Sequence, residues 1–446
     1  MRKVFYAMSF YFSRLFYITG GIIVAILVVS FFEPVLMQVA LLMSASLAVI
    51  TLIDTVFIFS RKHPVLAERI CADRFSNGDD NTVTLKIVNR LPYRITLLVI
   101  DEIPKQFGEE NIEKRIVLAE RETVSVSYQL RPVERGEYQF GRINLLLHTP
   151  LNMMTRHVII GDEKMVAVYP SFIQMRRFHL KAIAGQLRET GGRALRKIGH
   201  SLEFEQIKDY VAGDDSRTIN WKATARRNSI MVNNFMDERS QQVICLIDKG
   251  RNMKMPFKGM SLLDHAINAT LVLSNIVLVK QDKAGMISFG KKVDQFIPPD
   301  KKSAQLSILM ESLYRQKTDF MDTDFGALYA SIRYRIKQRS LLILFTNFES
   351  MYGMERQLPF LKKIASHHAV LVVFFENTEL SELQQISADS VEKIYLKVIA
   401  NKFALEKRLI VKELQKNGIM ALLTSPEKLS ANTINKYLDI KARQLF

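Results

Sequence analysis

Cysteine is almost absent from this 446-residue chain. Cys71 and Cys245 are the only two and lie far apart, so they build neither a disulfide framework nor a Cys-x-x-Cys metal site. A reducing compartment is the simpler reading. Proline (12) and glycine (19) are too scarce for a collagen-like or low-complexity chain, and 48% hydrophobic residues exclude disorder, because real cores can be buried. The eight histidines include no His-Glu-x-x-His or other pair at helical spacing, and no Gly-x-Ser-x-Gly elbow occurs, so hydrolase chemistry has no basis here. Acid is also short: 62 Lys and Arg face 45 Asp and Glu, leaving a net charge of +17. Such an excess wants nucleic acid, an anionic membrane surface or an acidic protein as partner. The length allows roughly three domains at about 150 residues each.

Apolar sequence is abundant at the amino end. Leu15 to Phe32 and Val35 to Phe59 are separated only by Glu33-Pro34, and each can cross a hydrocarbon core of about 30 Å as a helix. A secretory leader has an apolar region of about 7–15 residues and a cleavage site, whereas here a second span follows at once. The pattern predicts a two-helix transmembrane hairpin over residues 1–62. Arg2, Lys3 and Arg14 precede the first span, Arg61, Lys62 and His63 follow the second, and the turn carries only Glu33. Positive residues stay inside, which places both termini in the cytoplasm and the chain in the inner membrane as a multi-pass protein. Asp54 falls near Arg61 and reads as a solvated residue at the end of the span; the alternative is a functional intramembrane carboxylate.

Residues 66–172 change to short alternating runs: Thr82 to Val88, Val124 to Tyr128, Ile143 to Leu147 and Val166 to Tyr169. Period-two alternation with turns at Arg135-Gly136 and Gly161-Asp162 predicts an antiparallel β-sandwich-like domain, without any catalytic pairing of residues. Residues 173–239 combine a basic linker with a dense motif. From Met175 to His200, Arg176, Arg177, Lys181, Arg188, Arg193, Arg196 and Lys197 face only Glu189 among acids, which reads as a mobile linker. Single-stranded nucleic acid would want aromatics among the cations, and only Phe178 is there. Nucleic acid is thus an unlikely partner; anionic lipid or an acidic protein suits the run better.

The motif, EFEQIKDYVAGDDSRTINWKATARR over 203–227, holds the only tryptophan, two acid clusters and several cations. Gly213-Asp214-Asp215-Ser216 is turn chemistry, and Asp214 or Asp215 is placed to cap a helix from Trp221 to Arg227. Carboxylates such as Glu203, Glu205 and Asp214 suit acid–base work, although no histidine or cysteine accompanies them; an ion-pair and hydrogen-bond network accounts for the same residues. This string is similar to the signature of the bacterial family called domain of unknown function fifty-eight. The hairpin, β segment and later α/β region fit that family's layout along nearly the whole chain. Its signature positions here are Glu203, Glu205, Tyr210, Gly213, Asp214, Arg217, Trp221, Ala225 and Arg226. The resemblance implies a domain like the von Willebrand factor type A fold and gene neighbourhoods with MoxR-type AAA+ ATPases, and it implies no established activity.

Residues 240–446 alternate strand and helix on their own evidence. Val243 to Asp248, Ala284 to Phe289, Leu341 to Thr346, Ala369 to Phe375 and Met420 to Thr424 read as strands; Asp264 to Val279 and a segment from Ser430 read as helices. Such alternation predicts a parallel sheet covered on both faces, of Rossmann type, with ligands at the carboxyl ends of the strands. The stretch Asp248-Lys249-Gly250-Arg251-Asn252 follows the first strand. In type A domains this place resembles Asp-x-Ser-x-Ser, which helps hold Mg²⁺. Gly250 and Asn252 stand at the serine positions, Thr323 matches the later Thr loop, and Asn347 stands where a second Asp would be. Lost hydroxyls and a lost charge predict a degenerate site, and Lys249 and Arg251 oppose a cation further. If a metal is bound, Asp248, Asn252 and Thr323 hold it; otherwise the face takes an acidic side chain. The string Gly285 to Lys292 nearly fits a phosphate loop, but Lys292 replaces the hydroxyl and the interior is strand-like.

These observations predict a membrane-anchored cytoplasmic adaptor without catalytic residues or a required cofactor. Its partner would be a protein, with a MoxR-type AAA+ ATPase implied by the resemblance. The alternatives are an enzyme of unknown reaction using the Glu203–Arg227 carboxylates, and nucleic-acid or anionic-lipid binding through the basic linker.

Overall fold

The computed structural model describes residues 9–108, 111–161, 163–183, 203–211, 218–227, 229–236, 240–378 and 390–445. The chain divides into two units, Met1–Tyr169 and Pro170–Phe446.

In the first unit, β1 (Ser9–Phe12) precedes two apolar helices, α1 (Arg14–Val29) and α2 (Pro34–Phe59). Ser13 caps α1, its Oγ accepting from the N–H of Leu15 at 3.2 Å. At 16 residues, about 24 Å, α1 is shorter than the Leu15 to Phe32 span expected. Glu33 stands before Pro34 in extended conformation (φ −134°, ψ 102°), as a pre-proline residue must, so the helix closes at Ser30. With 26 residues, α2 is long and apolar enough to cross a bilayer. Val28, Leu42 and Val56 lie on the helices' exposed faces.

Ten more strands follow: β2 (Val65–Ile70), β3 (Arg74–Ser76), β4 (Asn81–Asn89), β5 (Ile95–Asp101), β6 (Ile112–Leu118), β7 (Thr123–Leu130), β8 (Gly136–Phe140), β9 (Ile143–His148), β10 (Met154–Ile160) and β11 (Lys164–Tyr169). They form sheets β1-β10-β9-β5-β6, β2-β4-β7 and β3-β11-β8. All pairings are antiparallel except β3 with β11. Alternation delivers Leu85, Ile87 and Val126 of one sheet and Leu97, Val99, Leu145 and Leu147 of another into one core, together with Ile58 of α2. Each such side chain contributes about 1.5–3 kcal/mol on burial. Nearby, Arg69 and Asp101 form a buried ion pair, Arg69 also donates to the Gly141 carbonyl at 3.0 Å, and the Tyr128 hydroxyl donates to Asp101. Burial and the Asp101 charge raise the Tyr128 pKa.

Helix α2 is thus packed on the β strands that follow it, and Asp54 is no solvated end residue. Asp54 is fully buried. Its Oδ2 accepts from the backbone N–H groups of Met153 and Met154, both at 2.9 Å, and its other oxygen accepts from the Thr149 hydroxyl. At the end of α2, Arg156 donates to the carbonyls of Ile58 (2.9 Å), Arg61 (3.0 Å) and Lys62 (3.3 Å) and lies over the Phe59 ring. A cation there meets orphan carbonyls and the negative end of the helix dipole. The Tyr93 hydroxyl adds a bond to the Phe57 carbonyl at 2.6 Å.

The second unit opens with α3 (Phe172–Ile183), where a mobile linker was expected from Met175. Met175, Phe178 and Ala182 pack on the core, and the spacing of these three is helical. The remainder of that basic run lies outside the described residues. Next come β12 (Glu203–Asp209), α4 (Trp221–Arg227), β13 (Met231–Met236), β14 (Gln242–Asp248), the small hairpin β15 (Pro256–Phe257) and β16 (Met260–Ser261), α5 (Leu262–Val279), β17 (Lys283–Phe289), β18 (Val293–Asp300), α6 (Gln305–Tyr314), α7 (Phe325–Arg335), β19 (Leu341–Phe345), α8 (Met351–Ala365), β20 (Ala369–Phe375), α9 (Val391–Lys416), β21 (Met420–Thr424) and α10 (Leu429–Ala442).

The main sheet runs β18-β17-β14-β19-β20-β21. It is not wholly parallel, because β18 pairs antiparallel with β17 at the edge. Val243, Cys245 and Ile247 face α5 and α10, while Ile244 and Leu246 face α7 and α8, so both faces are covered. The apolar helix α5 is long enough to cross a bilayer but is mostly buried as a core helix of this unit. The string from Gly285 is strand β17 turning into β18, not a phosphate loop; a Cβ at Gly285 would lie 2.9 Å from the Ile297 carbonyl. In chain order the sheet reads 3-2-1-4-5-6, so the winding reverses between β14 and β19, and the crevice at their carboxyl ends is where such sheets place ligands.

Candidate functional site

Asp248 ends β14 at that crevice and is buried. Its Oδ1 accepts from the Gly250 N–H at 2.8 Å and from the Thr323 hydroxyl at 2.7 Å; its Oδ2 accepts from the Thr346 hydroxyl at 2.6 Å. Thr323 arrives just ahead of α7, whose amino end is capped by Asp324 Oδ1 accepting from Gly326 and Ala327 N–H. Thr346 and Asn347 follow β19. Burial pushes the Asp248 carboxyl up, and the three donors only partly oppose it.

Gly250 is fixed by close approach, not by backbone conformation. A Cβ there would sit 1.9 Å from Thr323 Oγ1. The missing serine hydroxyl is thus tied to the Thr323 contact with Asp248. Asn252 Nδ2 donates to the Asn347 carbonyl at 3.1 Å, and Asn347 Nδ2 returns a bond to the Asn252 carbonyl at 3.4 Å. Asn347 Oδ1 accepts from Lys407 Nζ of α9 at 2.8 Å. All five positions expected on this face, Asp248, Gly250, Asn252, Thr323 and Asn347, are brought together, and Thr346 and Lys407 join them.

Lys249 does not contribute charge here, contrary to the expectation. It is buried, ion-paired with Asp294 and bonded to the Lys317 carbonyl at 3.0 Å. Arg251 and Arg356 do line the open crevice of about 220 Å³, with Asp322 and Glu349 also on its wall.

The donor set does not fit Mg²⁺. The cation wants near-octahedral oxygens with carboxylates. Here the one central carboxylate already serves three internal donors, Gly250 offers no side chain, and an ammonium takes the Asn347 oxygen. Among the described residues no group of three His, Cys, Asp or Glu is arranged to hold a metal. Millimolar Mg²⁺ is accordingly expected to shift the thermal unfolding of the full chain by less than about 1 °C, whereas saturating a specific site would raise it by several degrees.

The described signature residues lie on or beside a strand–helix–strand element of their own. Glu203 and Glu205 are on β12, where Glu205 is the extra residue of a bulge against β13. The Tyr210 N–H donates to the Ile230 carbonyl at 2.8 Å. Gly213, Asp214 and Arg217 lie outside the described residues. Trp221, Ala225 and Arg226 are on α4, with Trp221 72% exposed. The helix cap expected from Asp214 or Asp215 is supplied by Asn220, whose Oδ1 accepts from the Ala223 N–H at 3.0 Å and whose Nδ2 donates to Asn233 Oδ1 at 2.8 Å. Thr224 accepts from the Met231 N–H at 3.0 Å and closes the element. In sequence the cap falls to Asp214 or Asp215, and nothing in the string marks Asn220 and Thr224 as the hub.

Among solved structures, the chain resembles proximal thread matrix protein 1 of mussel byssus (14% identity, 46% of this chain and 47% of that one, TM-score 0.26). It also resembles the CARDB domain of a Pyrococcus furiosus protein (14% identity, 24% and 93%, TM-score 0.18). Neither likeness bears on what this chain does. The uncharacterized protein YeaD of Bacillus subtilis (strain 168) is 23% identical over 226 residues, 49% of this chain and 54% of YeaD, so the match spans about half of that relative. Residues 206–393, from the signature strand into the start of α9, match the family described as "Protein of unknown function DUF58".

Proposed function

We propose that this chain is a membrane-anchored cytoplasmic adaptor. In this reading residues 1–62 form a transmembrane hairpin with both termini in the cytoplasm, residues 66–172 a β-sandwich-like domain, and residues 240–446 a degenerate von Willebrand factor type A-like domain that binds a protein. One observation carries it: the crevice at the switch point is open and lined by Arg251 and Arg356, while Asp248 spends both oxygens on internal donors. A guanidinium offered at such a place suits a carboxylate of a partner, in the position a bridging metal would otherwise take. Among the described residues no histidine or cysteine lines the crevice, so the hydroxyls of Thr323 and Ser350 on its wall have no imidazole beside them to take a proton. A MoxR-type AAA+ ATPase is the partner that the family resemblance nominates.

Affinity capture with the full chain from native membranes tests this. Wild type should retain the ATPase, and Arg251→Ala should reduce recovery at least about tenfold, the scale of one charge-assisted contact. Equal recovery with Arg251→Ala and Asp248→Ala would overturn the site. A carboxyl-terminal reporter that scores extracytoplasmic would overturn the topology.

A further inference from the structure

A second cavity opens at the carboxyl ends of β20 and β21, with a volume of about 410 Å³. Its wall is mostly apolar and includes Leu262, Phe375, Phe403 and Leu423. That size and character match pockets for small organic ligands, which combine apolar lining with a few fixed polar groups. The fixed group here is Lys407, half-buried on α9. Its ammonium gives hydrogen bonds to Asn347 Oδ1 and to the Phe348 carbonyl and lies 5.7 Å from the Phe374 ring centre, all neutral partners. No carboxylate among the described residues forms an ion pair with it; Glu349 acts only at longer range. Desolvation brings the Lys407 pKa down to about 8. An ammonium held in an apolar wall without a counter-ion is costly, and a ligand that supplies the counter-ion recovers that cost. The other charged groups on the wall are Glu349, Glu376 and Arg408. The two acids weigh against a phosphate dianion and leave room for a single negative charge.

We propose that this cavity binds a monocarboxylate on an apolar body, the carboxylate pairing with Lys407 and the body lying against Phe375, Phe403 and Leu423. The cavity shares Asn347 and Glu349 with the Arg251 crevice, but Lys407, Phe375, Phe403 and Leu423 line this cavity and not the crevice, and its occupancy does not depend on any protein partner.

The probe is 4-phenylbutyrate, compared with its uncharged amide, titrated into the full chain in detergent and read by calorimetry. At pH 7 the acid should bind at least about tenfold tighter than the amide. Between pH 7 and 9 the acid should weaken about tenfold, because the ammonium it needs is lost above about 8, and the amide should not change. Lys407→Met should erase both the preference and the pH dependence. Should that variant fail to fold, seen as exposure of the buried Cys245 thiol to a labelling reagent, the acid–amide and pH comparisons on wild type decide alone. Equal affinity for acid and amide, no binding of the acid at millimolar concentration, or acid binding indifferent to pH or to Lys407→Met would overturn the proposal.

Discussion

Asp54→Leu is expected to destabilise the junction between α2 and the β strands by about 3–5 kcal/mol, the usual result of removing one partner from a buried charged network. Leucine suits an apolar helix better than aspartate does, so hydropathy alone predicts the opposite sign. The cost comes from the other side: the N–H groups of Met153 and Met154 and the Thr149 hydroxyl lose their acceptor. They follow the end of β9 and lead into β10, so the loss reaches the sheet that carries β1 as well. At about 1.4 kcal/mol per tenfold, the opened junction should become roughly 100–4,000 times more populated. Trypsin cleavage of the full chain after Arg61 or Lys62, whose carbonyls Arg156 now holds, reads this directly. Asp54→Asn keeps one acceptor oxygen and should fall between wild type and Asp54→Leu. A cleavage rate within about twofold of wild type in Asp54→Leu would show that the buried carboxylate holds nothing.

The same residue shows where sequence reading runs out. An acid at the end of an apolar span has two cheap explanations, a solvated end or a local partner, and Arg61 offered the second. The actual donors lie 95 to 100 positions away in a turn without any distinguishing composition. Where the physics was local, the sequence was legible. The apolar run ending in Asp248 forms β14, and the alternating run around Leu85 forms β4 with its odd positions buried. Helix α3 was hidden because seven cations between 176 and 197 dominated the composition, although Met175, Phe178 and Ala182 already marked an inward stripe. The edge strand β18 was missed because Pro298 and Pro299 argue against a strand anywhere but an edge, and an edge is where it lies. At the crevice, Asp248, Thr323 and Asn347 were identified through motif resemblance, while Lys407, on a helix without any motif, became visible only when its nitrogen was found on Asn347.

Gly250→Ala is the second large effect expected, and it separates close packing from loss of a metal ligand as the reason glycine stands there. The backbone at Gly250 is ordinary (φ −75°, ψ 175°), so alanine meets no conformational penalty. Its Cβ would instead lie 1.9 Å from Thr323 Oγ1 and 2.9 Å from Asp248 Oδ1. Thr323 must turn away, and buried Asp248 then loses one of its three donors, for a combined cost of about 2–4 kcal/mol. Thr323→Ala alone removes the hydroxyl and leaves a small void, costing about 1.5–3 kcal/mol. The double variant should cost only somewhat more than Thr323→Ala, since the nearer atom that alanine strikes is gone and only the 2.9 Å approach to Asp248 Oδ1 remains, giving a favourable coupling of about 2 kcal/mol. Protection of Cys245 measures this within the second unit. That thiol is buried in β14, three residues before Asp248, and burial pushes its pKa up to about 12, so it reacts only when the unit opens. Strict additivity of the two substitutions would mean that Gly250 and Thr323 act independently, and the close-approach account of the degenerate motif would fall.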